Sequence, residues 1–336
     1  MRPFEPHPLL RNAHAMTIVP ALLRRRFPDL PPGEMRLFDA APGVQLAGIA
    51  HWQVARRERP MLVLVHGLEG SSESGNLRGL SEKAFRAGFS VIRLNQRNCG
   101  AGEQFSSTLY HSGLSGDYRA VLTELVEADR VPEILFAGWS MGGNLLMKMA
   151  GELGAAAPKE FRALAVVCPA LNLSVCADTL AEPRNFIYLR HFVRNLKERT
   201  LRKARQYPGT IRVDDLARVR TVRDFDDAVI APQFGFRDAE DYYQRSSALR
   251  VVDRVSIPTL ILTAQDDPVV PIRTFDVPAI RENPHVTFEA PAHGGHSGFI
   301  SRWKGSDRFW AEARLLEFFR RHASRSLLDA PSETKT

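Results

Sequence analysis

Serine, aspartate and histidine, which together can move an acyl group, occur in this chain in that order, each just after a short apolar run. Ser140 lies in Gly138-Trp139-Ser140-Met141-Gly142, which fits G-x-S-x-G. A serine on such a strand-to-helix turn stands clear of the backbone and can attack a carbonyl. The glycines two residues to either side are needed where a Cβ would strike the strand or the helix. Asp266 and Asp267 follow the run Thr259–Thr263, and His293 and His296 follow Val286–Glu289. Such a histidine takes the serine proton and returns it to the leaving group. The acid fixes the imidazole tautomer and stabilises the imidazolium. The chemistry implied is serine acyl chemistry through an acyl-enzyme, with the acyl donor left open by these residues.

Two acids and two histidines compete for these roles. Asp267 stands four residues before Pro271, in Ala264-x-x-Asp267-x-x-x-Pro271, and is favoured, with Asp266 the runner-up. His296 lies in the glycine-rich run Gly294-Gly295-His296-Ser297-Gly298, which lets a ring reach across to Ser140, so it is the expected base. His293 and His296 also read as an H-x-x-H metal pair, but no third ligand lies nearby in sequence, and no metal is assigned. The oxyanion formed during attack needs backbone donors. Met141, after the nucleophile, and Leu68, in His66-Gly67-Leu68-Glu69-Gly70, are the expected ones. His66 is read as a loop-holding residue. The chemistry calls for no cofactor.

Positioning these groups requires an open sheet whose strands end at a common edge. Buried strands are predicted at Met61–Val65, Ser90–Leu94, Ile134–Ala137, Leu164–Cys168, Thr259–Thr263 and Val286–Glu289, with helices at Leu77–Ala87 and Gly113–Ala128, after Ser140, and at Arg308–His322. Asp117 falls in the first turn of the second of these. Strand and helix alternate strictly here, which dictates a parallel sheet with right-handed crossovers. Met35–Phe38 and Val44–Trp52, separated by Ala41-Pro42-Gly43, form an antiparallel hairpin ahead of it.

The alternation breaks at 176–252, which is aromatic and basic. Phe186, Leu189, Phe192, Val193 and Leu196 recur at helical spacing, so this stretch is an inserted helical cap over the active site. Its charge, with Lys197, Arg199, Arg202, Lys203 and Arg205, reads first as a solvated face and second as a surface for anionic substrate groups. A nucleic-acid patch is disfavoured, since no binding motif accompanies it. Residues 1–34 are a proline-rich arm with one short helix, whose Arg24-Arg25-Arg26 is read as solvated, with contact to anionic lipid as the alternative. Residues 35–175 and 253–322 form the core, and 323–336 a disordered tail.

With 336 residues, 44% hydrophobic, the chain can bury one large α/β core. Cys99, Cys168 and Cys176 are an odd number without C-x-x-C spacing, so neither a disulfide framework nor a zinc site is expected. There is no apolar run near the roughly 20 residues of a membrane helix, nor a signal-peptide pattern. A cytoplasmic protein is expected.

The order serine, acid, histidine is that of the α/β hydrolases. Longer motifs make the resemblance specific: Arg11-Asn12-Ala13-His14 with Thr17-Ile18, HGLEGSS from His66, RNCG from Arg97, LYHSGLSGD from Leu109, GWSMGGN from Gly138, Arg223-Asp224-Phe225-Asp226-Asp227 to Asp241-Tyr242-Tyr243, and GGHSGF from Gly294. The chain resembles the YheT-like (hydrolase-4) branch, which includes ABHD1/ABHD3-type lipases. Ala15-Met16 and Asn76 depart from that family's pattern. The resemblance implies an α/β-hydrolase fold, a triad of Ser140, the Asp266/Asp267 pair and His296, and hydrolysis of carboxylic esters, short- to medium-chain or lipid-like. An acyltransferase using the same triad and a non-catalytic ligand-binding module are the alternatives. Serine at the elbow excludes an aspartate-nucleophile dehalogenase.

Overall fold

A computed structural model describes residues 2–328. Eight strands build one sheet: β1 (Glu34–Ala41), β2 (Val44–His51), β3 (Met61–Val65), β4 (Ser90–Leu94), β5 (Ile134–Trp139), β6 (Phe161–Val167), β7 (Thr259–Leu262) and β8 (Val286–Glu289). Their order across the sheet is β1-β2-β4-β3-β5-β6-β7-β8. β1 pairs antiparallel with β2, turning at Gly43 with φ 71°, and β2 antiparallel with β4. All other pairings are parallel.

The central strands β3, β4 and β5 are buried at every position, because helices cover both faces. Strand residues alternate between two cores. Val63, Val65 and Phe136 face helices α3 (Ser115–Glu127) and α4 (Met141–Leu153). Leu62, Leu64 and Leu135 face α2 (Gly75–Arg86) and α11 (Trp310–His322). The arm contributes α1 (Ala13–Leu22), begun by Asn12, whose side chain accepts from the His14 and Ala15 amides.

Between β6 and β7 lies a helical insertion. It comprises α5 (Leu173–Ala181), α6 (Phe186–Gln206), α7 (Val222–Phe225), α8 (Ala231–Phe234) and α9 (Ala239–Ser246), with a π-turn at Asp226–Ile230 joining α7 to α8. Helix begins at Leu173, a little before 176, because Asn172 caps it through the Val175 amide. A short α10 (Pro278–Arg281) precedes β8, and α12 (Arg325–Leu328) ends the described chain. The expected disordered tail therefore has a fixed beginning: Ser324 donates to Glu133, and Arg59 donates to the carbonyls of Leu327 and Leu328. The rest of that tail, 329–336, lies outside the described residues.

Two charge readings are corrected. Arg25 is not a freely solvated charge but half-buried; its guanidinium pairs with buried Glu312, donates to the Gly75 carbonyl and covers the Phe309 ring. On α6, Lys203 is fully buried and donates to the carbonyls of Glu103 and Ser106, while Arg199 is buried against Glu69. A cation that far from water persists only when its charge is paired or its donors are satisfied, as the Lys203 ammonium is by these carbonyls and by Gln206 Oε1. No helix among the described residues is long and apolar enough to cross a membrane.

Candidate active site

Ser140 sits between β5 and α4 with φ 51° and ψ −117°, a strained backbone for a residue with a Cβ. The strain holds because the flanking glycines are locked. A Cβ on Gly138 would lie 2.6 Å from the Gly142 carbonyl oxygen, and one on Gly142 would lie 2.4 Å from that of His66. The Ser140 amide donates to Val167 at 2.9 Å, tying the turn to the end of β6.

His296 Nε2 lies 3.0 Å from Ser140 Oγ, and its Nδ1 lies 2.9 Å from Asp267 Oδ2. The network assigns the proton to Nδ1, leaving Nε2 to accept from the serine hydroxyl. Asp267 is itself oriented, since its Oδ1 accepts from the Val269 and Val270 amides at 2.8 and 2.9 Å. Asp266 does something different: it accepts from the Gly295 amide at 2.9 Å and faces His293. The two aspartates thus divide into one that meets the His296 ring and one that shapes its loop. The two histidines stand on different carboxylates. Among the described residues, the one trio of potential metal ligands is Cys168, Asp267 and His296, without His293. Burial holds the Cys168 thiol well above its ordinary pKa, which disfavours the thiolate a metal would need.

The loop bearing His296 winds through positive φ at Gly295, Ser297 and Phe299. It rests on α1, a contact that sequence reasoning missed. Thr17 Oγ1 accepts from the His296 amide at 2.8 Å, and a Cβ on Gly298 would fall 2.0 Å from the Met16 carbonyl oxygen. His14 reaches the hydroxyl of Tyr188 on α6 at 3.0 Å, so α1 bridges the histidine loop and the insertion. The signal available was the Asn12 cap followed by Thr17; nothing local tied either to residue 296. Met16, one of the departures from the family pattern, is fully buried beneath this loop.

Leu68 and Met141 both border Ser140 in the same cavity. Among the described residues neither amide has a hydrogen-bond acceptor, and the Met141 amide lies in the first turn of α4, where the helix dipole favours negative charge. The Leu68 loop is fixed on both sides. His66, 1% exposed, donates from Nδ1 to the Gly67 carbonyl at 2.7 Å and accepts at Nε2 from the Gln96 amide. Burial drives its pKa down to about 4, so the ring is neutral. Glu69, with φ 59°, accepts from the Tyr110 hydroxyl at 2.7 Å and from Arg199 Nε at 3.1 Å. The RNCG loop is held by a buried pair: Arg97 donates to both oxygens of Asp117, at 2.7 and 2.5 Å.

Ser140 stands at the junction of two cavities. One runs under the insertion and is largely apolar, lined by Leu173, Leu180, Phe192, Leu196, Phe225 and Ile230 among others, with Asp226 the one carboxyl group among its described lining residues. The other opens toward the arm and carries Arg25, Glu73, Asn76, Arg78 and Glu312. Asn76, the second departure from the family pattern, lines this polar groove.

A family model described as alpha/beta hydrolase fold matches residues 60–302. YheT of Escherichia coli is 31% identical over 306 residues, 90% of this chain and 89% of that one. Phospholipase ABHD3 of Mus musculus is 27% identical over 288 residues, 83% of this chain and 70% of its own. Among solved structures, the Pyrococcus furiosus esterase Pf2001 superposes with a TM-score of 0.57 at 14% identity, covering 90% of this chain and 98% of that one, a likeness of fold alone. The strand order, the serine turn at the end of β5 and these matches together place the chain in the α/β-hydrolase fold family, on its YheT-like branch.

Proposed function

We propose that this protein is a serine esterase that cleaves carboxylic acyl esters through an acyl-enzyme, with Ser140, His296 and Asp267 as its triad. The observation that carries the reading is the unbroken chain from the Val269 and Val270 amides through Asp267 and His296 to Ser140, at the mouth of an apolar cavity.

Ser140 Oγ attacks the ester carbonyl while His296 Nε2 takes its proton. Asp267 stabilises the imidazolium that forms, and the Leu68 and Met141 amides donate to the developing oxyanion. His296 then protonates the leaving alkoxide. Water enters, activated by the same nitrogen, and releases the acid. The two cavities sort the substrate: the acyl chain enters the apolar one and the alcohol portion leaves through the polar groove. That division suits an amphiphilic, lipid-like ester, and the relation to a phospholipase agrees with it.

The test is hydrolysis of nitrophenyl esters from acetate to palmitate by wild type and Ser140→Ala. Activity is expected to peak at an intermediate or long chain and to vanish in the variant. Undiminished activity in Ser140→Ala would refute the assignment. Added alcohol or amine acceptors report transfer: a new ester or amide in place of free acid would make the protein an acyltransferase.

A further inference from the structure

Asp226 stands out within the apolar cavity. It is 7% exposed, yet it forms part of the cavity wall beside Phe225 and Ile230, and it makes no ion pair among the described residues. Its Oδ2 accepts from the Tyr243 hydroxyl at 2.6 Å; Oδ1 has no partner among the described residues. The nearby cation, Arg223, is engaged with Asp178 and Glu240 instead. The backbone at Asp226 is the first residue of the π-turn, an irregularity that costs helix regularity and recurs where a side chain is aimed at a function.

Asp226 lines the apolar cavity with one carboxyl oxygen that no protein group meets, so a polar group of a ligand can pair with it there. Burial pushes the Asp226 carboxyl up to about 7, so both its protonated and its ionised forms occur near neutral pH. With Oδ2 occupied by the tyrosine, Oδ1 presents a donor when protonated and an acceptor when ionised. A carbonyl matches the first form alone and an ammonium the second alone. A hydroxyl matches both.

We propose that Asp226 is a specificity residue that binds a hydroxyl group on the acyl chain, so that the preferred substrates are esters of hydroxylated acids. The proposal rests on the esterase reading for its substrate class, and on the place of Asp226 for the hydroxyl: its Oδ1 is an open carboxyl oxygen in an apolar wall, beside the Tyr243 hydroxyl that already donates to Oδ2, so a small neutral hydroxyl group on the chain fits there. Among the described residues that line the apolar cavity, Asp226 carries the one carboxyl group; the Tyr242 hydroxyl accepts from the Ser112 amide, and the Tyr243 hydroxyl donates to Asp226.

The test uses nitrophenyl octanoate and its isomers carrying one hydroxyl at successive chain positions. Wild type should cleave at least one isomer with kcat/KM about tenfold above the plain ester, as a hydrogen bond to a buried carboxyl supplies. Asp226→Leu alone would strand the Tyr243 hydroxyl, so the variant is Asp226→Leu with Tyr243→Phe, which removes both partners together. In it the ratio of hydroxylated to plain turnover should fall at least tenfold. No preferred isomer in wild type, or a preference that survives the double substitution, would overturn the proposal. If no ester is cleaved in a Ser140-dependent way, the esterase reading fails, and calorimetry on Ser140→Ala protein decides the proposal alone. Tighter binding of a hydroxyoctanoate than octanoate, lost in the added double substitution, upholds it; equal binding sinks it.

Discussion

The two aspartates of the β7 loop are neighbours in sequence, with unlike partners. Asp267 faces His296 Nδ1 and two backbone amides, whereas Asp266 faces His293 and the Gly295 amide. Asp267→Asn turns an acceptor toward the imidazole into a group that also donates, favouring the wrong tautomer, and should lower kcat by about 10⁴. Asp266→Asn keeps an oxygen for Gly295 and should cost about tenfold at most, through loop position. Steady-state kinetics of the pair on one ester separates the roles; equal losses would contradict the assignment. The sequence favoured Asp267 from its distance to Pro271, but only the ring's approach distinguishes the two carboxylates.

Elements set how well those residues are held. Helix α1 carries no reacting group, yet Thr17 accepts the His296 amide and Met16 fills the space beneath Gly298. Thr17→Val is expected to lower kcat about tenfold with KM little changed, since it loosens His296, the proposed base, and Thr17 does not line the apolar cavity. A rise in KM with kcat intact would show a binding role instead. Helix α6 acts on the Leu68 loop: Arg199 pairs with Glu69, next to Leu68. Arg199→Met leaves a buried carboxylate with Tyr110 alone and should cost about 3–5 kcal/mol in urea unfolding. Adding Glu69→Gln should restore part of that, and a double-mutant cycle measures the coupling. No recovery would mean that α6 is held by its apolar face alone. Helical spacing made α6 legible in the sequence. Its register over the Leu68 loop was not, because that pairing spans 130 residues.

For the whole molecule, buried titratable groups set the response to acid. Burial lowers His66 to about 4 and His111 to about 3, from 6.5. The folded protein thus refuses protons that the unfolded chain accepts. Each site therefore removes stability as pH falls below 6.5, by about 1.4 kcal/mol per pH unit, until its own folded value is reached. Asp226, raised to about 7 by burial, works in the opposite direction: the folded state takes up its proton first, adding stability from pH 7 down to its unfolded value of 3.8. Urea unfolding between pH 6 and 4 should accordingly be flattened by His111→Phe and steepened by Asp226→Asn, each by about 1.4 kcal/mol per pH unit. Unchanged slopes would mean that these groups meet more water than the folded structure gives them.

By itself the sequence determined the sheet, the serine turn and the residues competing for acid and base, and it singled out Leu68 and Met141 as candidate oxyanion donors. These follow from apolar runs, glycine spacing and chain order, which are local quantities. Tertiary structure alone decided which aspartate meets the ring, that the arm helix supports it, that Arg199 and Lys203 are internal rather than surface charges, and that Asp226 opens into an apolar cavity. Each of these joins residues distant in the chain, and burial, not residue type, determines what a charged side chain there can do.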